Sequence, residues 1–241
     1  MRPHLRAKRL RRAVLFDLDD TLYPEREFVH GGFRTVARHL ATKYQLEQES
    51  VFREMVEILE RRGRGKVFDA LLHTHRLYSE ENVKALLYLY RSHRPKLRLY
   101  EDVFQTLRAL RRLHFRLGIV TDGLACVQRN KVAALHLEGL FDAVICSDQL
   151  GRDCWKPSEV PYQVALYLLD IPPGQAVYVG NDPAKDFLAP NALGMLTIQV
   201  RRCLQEDGTL RGLPQAGLAK VAVNSLVEML PILGGRANGG G

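Results

Sequence analysis

Short apolar runs that each stop at a polar residue recur along this 241-residue chain, and no other feature limits the fold as much. Residues 13–16 run into Asp17, residues 117–120 into Thr121, and residues 176–179 into Gly180, Asn181 and Asp182. Apolar runs this short, bounded by turn formers, suit strands buried on both faces. Helix-spaced stretches lie between them: Val103, Leu107 and Leu110, then 124–135, then 160–169. Residues 143–146 and 195–200 supply two more strands and 221–223 an edge strand. Pro183 fits the first turn of the helix after the fourth strand. Ser225 and Glu228 are spaced as a capping box for the last helix. Strands alternating with helices predict an α/β core whose parallel sheet is covered on both sides.

From residue 24 to 97 the pattern changes. Phe28, Phe33, Val36 and Leu40 recur at helical spacing, as do Val51, Met55, Ile58 and Leu59, and shorter helical stretches follow. The Gly-containing basic loop at 61–66 and Pro95 mark breaks, so this segment reads as a helical insert. Residues 1–12 carry six Lys or Arg and no acid, which reduces the net charge of +8 to +2 for the rest of the chain. A body so weakly basic is no groove for a polyanion, and specific nucleic-acid binding is not expected. No apolar run approaches the roughly 20 residues that cross a bilayer, so no membrane partner is expected. Cys126, Cys146, Cys154 and Cys203 are scattered without CxxC spacing and read as reduced thiols of a cytoplasmic protein.

Carboxyl ends of parallel strands share one edge of a sheet, where open α/β folds bind ligands. Asp17, Thr121, Asn181 and Asp182 therefore converge although far apart in the chain, and Lys156, before Pro157, lies in a loop opening onto the same edge. Asp17, Asp19 and Asp20 crowd three carboxylates into four positions. Such charges stay ionised with solvent, a bound cation or a basic partner. Alone, the stretch reads equally as a hard-metal site or as a charged turn.

DLDDT at 17–21, the strand ending in Thr121, Lys156 with Pro157, and GNDPAKD at 180–186 together resemble the four motifs of the haloacid dehalogenase superfamily of phosphohydrolases. Order and separations fit over essentially the whole chain beyond residue 12. The resemblance implies a discontinuous Rossmann-like core, 13–22 and 98–233, with a smaller α-helical cap at 23–97; by composition, 1–12 reads as a basic lead-in and 234–241 as a flexible Gly-rich tail. It implies a Mg²⁺-dependent phosphatase acting on a small phosphorylated metabolite: a sugar phosphate, phosphoglycolate or a nucleotide monophosphate. Asp17 is the expected nucleophile, forming an aspartyl-phosphate, and Asp19 the acid that protonates the leaving alcohol and then deprotonates water. The family's dehalogenases lack this second Asp and its ATPases carry Lys there, which favours phosphate esters. Thr121 binds phosphate through its hydroxyl, helped by the backbone N–H groups of Asp122 and Gly123. Lys156 is the positive partner of Asp17 and of the transferring phosphoryl group.

The expected Mg²⁺ ligands are the Asp17 carboxylate, the Asp19 carbonyl and Asp182, with Asp186 outside them or paired with the lysine. Asn181 stands where the family most often has Asp, which leaves the choice between Asp182 and Asp186 open. Thr21 either fixes the turn that aims these groups or is only a capping residue. Tyr23, Glu25, Arg26 and Phe28 are candidates to line the entrance. The cations of the 61–66 loop either attract an anionic substrate or form a solvated face. The same motifs also serve phosphomutases, and a phosphate-binding scaffold without turnover is a further alternative.

Overall fold

A computed structural model describes residues 12–202 and 215–234. The chain divides into two units, 1–23 with 99–241 and 24–98.

The first unit holds six strands: β1 (Arg12–Phe16), β2 (Phe115–Thr121), β3 (Ala143–Cys146), β4 (Ala176–Gly180), β5 (Leu196–Val200) and β6 (Val221–Val223). They form one sheet in the order β3-β2-β1-β4-β5-β6, every pair parallel. The chain moves outward from β1 through β2 to β3, then returns to add β4 on the other side of β1. The strand order therefore reverses beside β1, and Asp17, Thr121 and Asn181 leave adjacent strands around that switch point. Asp17 N–H still donates to the Val179 carbonyl at 2.8 Å, so the β1–β4 ladder runs right up to the carboxylates.

Residues 13–16 are wholly buried, as a strand covered on both faces requires. Helix α7 (Val160–Leu169) lays Tyr162, Ala165, Leu166 and Leu169 in one cluster with Leu15, Val120, Ile145 and Tyr178 of the sheet. Helices α5 (Glu101–Arg112), α6 (Ala125–Ala134), α8 (Leu188–Ala192) and α9 (Met229–Ile232) complete the covering. Where the chain leaves the sheet for the other unit and where it comes back, the two segments are joined: Tyr100 N–H donates to the Leu22 carbonyl at 3.0 Å.

The second unit consists of α1 (Glu25–Tyr44), α2 (Gln48–Arg62), α3 (Val67–Thr74) and α4 (Glu80–Ser92). Phe33, Val36, Leu40, Val51, Met55, Leu71, Leu72 and Leu86 form its own buried core. Glu47 caps α2 by accepting from the N–H groups of Glu49 and Ser50 at 2.9 and 2.6 Å, and Ser79 caps α4 through Asn82 N–H at 3.1 Å.

Three local expectations need correction. Arg12 belongs to β1 rather than to a lead-in, its backbone being already paired with Phe115. Pro183 lies in a turn, not in a helix: the Asp182 carboxylate accepts from Ala184 N–H at 2.9 Å and the Asp182 carbonyl from Asp186 N–H at 2.9 Å, and helix starts only at Leu188. The capping box is half formed, since Glu228 accepts from Asn224 N–H at 2.9 Å while the Ser225 hydroxyl makes no cap, and a 3₁₀ turn precedes α9. Residues 1–11, Cys203 and residues 235–241 lie outside the described residues. Cys126, Cys146 and Cys154 are free thiols, and no described helix is long and apolar enough to cross a membrane.

Candidate active site

Each strand end at the switch point delivers its polar residue into one connected network. Lys156 is its centre. The lysine's side chain is entirely buried, and Nζ donates to Asp17 Oδ1 at 2.5 Å, to the Tyr178 hydroxyl at 2.6 Å and to Asp186 Oδ1 at 3.0 Å. A buried ammonium is tolerable only with such partners, and losing one charge of a buried pair costs roughly 3–5 kcal/mol. Burial works against the charged lysine, but the Asp17 and Asp186 carboxylates overcome it and hold its pKa well above the ordinary range. For Asp17 burial wins: it pushes the carboxyl up to about 7, with Lys156 pulling down and Asp186 pushing further up.

Asp186 is fully buried and has a second task. Its Oδ2 accepts from the N–H groups of Asn181 and Asp182 at 3.1 and 2.9 Å, folding the 180–186 loop around one carboxylate. A Cβ on Gly180 would stand 2.5 Å from that oxygen, so the loop needs glycine there. Thr21 links the two sides of the network, donating within 3.3 Å of Asp17 Oδ2 and 3.2 Å of Asn181 Oδ1. Of the two readings of Thr21, the hydrogen bonds match the one in which it aims the carboxylates.

The turn that carries Thr21 is held from behind. Arg202 donates twice to the Thr21 carbonyl, from Nε at 3.1 Å and Nη2 at 2.8 Å, while Nη1 lies 2.7 Å from Asp102 Oδ2 and the guanidinium covers the Tyr100 ring at 4.2 Å. Asp20 takes a positive φ of 54° in that turn, a conformation Asp adopts more readily than most residues.

Asp19 sits in a separate cluster. Lys131 Nζ reaches both of its oxygens, at 2.7 and 2.9 Å, Gln128 Nε2 donates to Oδ2 at 2.9 Å, and the Tyr23 hydroxyl donates to Oδ1. Burial alone would raise this carboxyl, but Lys131, Tyr23 and Gln128 bring it below the ordinary value. Gln128 Nε2 also lies 2.6 Å from Thr121 Oγ1, so the hydroxyl accepts there and keeps its proton for a ligand. Gly123, at φ 112°, makes the turn from β2 toward α6 that non-glycine residues resist. Asp122 works here through its side chain: Oδ1 accepts from the Ser147 hydroxyl at 2.5 Å and Oδ2 from Lys156 N–H at 3.0 Å, tying the lysine's loop to β2.

Lys131, Gln128, Tyr178 and Arg202 were not legible as site residues. Gln128 and Lys131 are three apart on α6, one face of a helix, and both are buried. Two long polar side chains on a face that must pack against a sheet were the available signal. Tyr178 reads as ordinary strand interior.

In the helical unit Glu25 and Arg64 form a two-pronged ion pair and Arg61 lies 3.2 Å from Glu57, so part of the basic loop's charge is met internally. Phe28 packs edge-on against Tyr90, within that unit. His73 stacks on Tyr78 while His75 pairs with Glu54 at 2.8 Å, so the two side chains point to different partners.

A family profile described as "Haloacid dehalogenase-like hydrolase" matches residues 14–200. The chain belongs to that family. Among curated relatives it is similar to the glyceraldehyde 3-phosphate phosphatase of Methanopyrus kandleri, with 34% identity over 205 residues, 81% of this chain and 86% of that protein. Among solved structures it resembles a haloacid dehalogenase-type phosphatase from Thermococcus onnurineus, with 28% identity, 93% of this chain and 98% of that one covered, and a TM-score of 0.61. The magnesium-bound hydrolase YfnB of Bacillus subtilis shares the fold at 17% identity and a TM-score of 0.63, over 93% and 99% of the two chains.

Haloacid dehalogenase-type phosphatases generally use a divalent metal, and the oxygen chemistry here can be tested against one. Among the described residues no three His, Cys, Asp or Glu side chains form a ready-made ligand cluster. Mg²⁺ does not need one, because it is held through one or two carboxylates and keeps several waters. Asp17, the Asp19 carbonyl, Asn181 Oδ1 and Asp182 offer only hard oxygen donors, which fits that ion. Asp182 spends one oxygen on Ala184 N–H, with its other oxygen 3.7 Å from Lys185 Nζ, whereas Asn181 Oδ1 stands on the Thr21 hydroxyl that also reaches Asp17.

Proposed function

We propose that this phosphoric monoester hydrolase releases phosphate from a small phosphorylated metabolite through Asp17, with three-carbon sugar phosphates the first class to test. The observation that carries the reading is the division of labour between the two carboxylates. Asp17 is joined to a buried lysine and lies at the switch point. Asp19, two residues on, has its own lysine and shares Gln128 with Thr121.

Phosphoryl transfer needs an in-line nucleophile, neutralised charge and a proton for the leaving group. Asp17 attacks phosphorus, and the ester oxygen departs with a proton that Asp19 must first take up against Lys131, Tyr23 and Gln128, which favour its ionised form; an aspartyl-phosphate remains. Asp19 then takes a proton from water as that water attacks the phosphorus, restoring Asp17. The Thr121 hydroxyl and the Lys156 ammonium hold the phosphoryl oxygens, and Gly123 presents its N–H beside them. Asp17, the Asp19 carbonyl and Asn181 Oδ1 would hold Mg²⁺, with Asp182 supplying negative charge nearby; Asp182 is the ligand expected from its sequence position, and the Thr21 hydrogen bond that joins Asn181 to Asp17 favours Asn181 instead. Bound there, the ion supplies further charge neutralisation for the phosphoryl group.

The similarity to a glyceraldehyde 3-phosphate phosphatase supports the substrate class. Inorganic phosphate release over a panel of sugar phosphates, phosphoglycolate and nucleotide monophosphates, with Mg²⁺ and with chelator, tests the proposal. Metal-dependent release is expected. Isomerised sugar phosphate without free phosphate would convert the reading to a mutase, and no turnover of any ester would reduce it to a phosphate-binding protein.

A further inference from the structure

The acid–base carboxylate is the less constrained of the two by its backbone. Asp19 follows the last strand residue by three positions, directly before the positive-φ turn at Asp20, outside the sheet ladder and held there by a single bridge to Tyr23. A carboxylate there has several rotamers, and a proton donor in the wrong one is useless. Beside the Tyr23 hydroxyl, what restrains it comes from α6, more than a hundred residues away. Lys131, with a side chain only 4% exposed, bonds both carboxylate oxygens, and Gln128 bonds Oδ2.

Gln128 makes the direction of this restraint readable. One amide nitrogen serves both Asp19 Oδ2, at 2.9 Å, and Thr121 Oγ1, at 2.6 Å. The carboxylate is therefore held beside the hydroxyl that is to bind phosphate. Asp17 and Asp19 each have a separate buried lysine, so the two carboxylates are fixed independently. We propose that Lys131 and Gln128 are positioning residues that hold Asp19 at the leaving-group side of the bound phosphate. This rests on the assignment of Asp19 as acid and base.

The test compares leaving groups. An aryl phosphate such as p-nitrophenyl phosphate departs as a stable anion and needs little help from an acid, whereas an alkyl phosphate needs the proton, and general acid catalysis contributes ~10²–10⁴-fold. Single-turnover release of p-nitrophenolate and of the alcohol from the best alkyl phosphate of the panel is measured with the full chain and Mg²⁺. Asp19→Asn should slow the alkyl ester about a hundredfold or more beyond any loss on the aryl ester. Lys131→Met and Gln128→Leu should show the same bias, at about tenfold or more, and Lys131→Arg should recover part of it. In an Asp19→Asn background, Lys131→Met should add nothing to the bias, as expected for residues acting through one another.

Equal loss on both esters in Lys131→Met and Gln128→Leu, or no loss, overturns the positioning role while leaving Asp19 its own. An Asp19→Asn variant without leaving-group bias overturns the acid–base assignment, and the positioning role falls with it. Gln128→Leu keeps the Lys131 ion pair, so it reports even if Lys131→Met does not fold.

Discussion

Replacing Asp17 with asparagine should abolish turnover and make the protein more stable. Burial lifts the carboxyl from its ordinary 3.8 to about 7. At ~1.4 kcal/mol per pH unit, keeping Asp17 ionised at pH 8 costs the fold about 4 kcal/mol. The weakened 2.5 Å bond from Lys156 is already counted in that value, because Lys156 pulls the carboxyl down within it. Lys156 keeps Asp186 at 3.0 Å, so its charge is not stranded. The balance favours Asp17→Asn by up to about 4 kcal/mol, and at ~2–4 °C per kcal/mol for a chain of this size the Tm should rise by several degrees. The sign varies with pH. A carboxyl raised in the folded state contributes its full stability below 3.8 and loses it as pH rises through about 7. The difference in Tm between variant and wild type should therefore be open at pH 8 and closed near pH 4. Calorimetry across that range in chelator, beside phosphate release with Mg²⁺, reads both effects. A variant less stable at pH 8, a gap independent of pH, or retained turnover would refute the reasoning.

Three further outcomes are expected. Asn181→Ala should raise the Mg²⁺ concentration for half-maximal activity and Asn181→Asp should lower it, both by more than Asp182→Asn changes it; metal titrations of phosphate release decide, and a larger effect at Asp182 returns the direct-ligand role to that residue. Arg202→Met should free the Thr21 carbonyl and lower kcat by about tenfold to a hundredfold, as a small misplacement of reacting groups does, with KM changing less; Arg202→Lys, which keeps the charge near Asp102, should be milder, and unchanged kcat in both variants excludes the clamp from catalysis. Leu71→Ala, at a fully buried position in the helical unit, should cost about 2–5 kcal/mol in urea unfolding; a loss below 1 kcal/mol would show that unit to be loosely packed.

How much of this was readable from the chain depended on whether a residue's task is local. Strands 143–146 and 221–223 and helix 160–169 end where their apolar patterns end, because the faces they bury in the sheet and on it are mostly apolar. Asp17, Thr121 and the 180–186 loop could be placed together because each follows such a run. Local capping signals fared worse: Pro183 and Ser225 have the chemistry of helix starts, but the Asp182 turn and the short 3₁₀ segment claimed their backbone first. Lys131 and Gln128 were hidden because ACVQRNKVAA looks like any mixed helix until its neighbour across the site is known. Arg202 was hidden because its partners, Thr21 and Asp102, are 181 and 100 positions away.

The bond between Tyr100 N–H and the Leu22 carbonyl has a consequence for how such a chain can change. To the sheet, everything from Pro24 to Arg98 is a detour that departs and rejoins at one stitched point. No strand pairing of the sheet, nor the bond between Asp17 and Lys156, uses a residue of that detour. A change of length inside those seventy-odd residues therefore leaves the sheet's own bonding scheme as written, so long as Leu22 and Tyr100 stay joined.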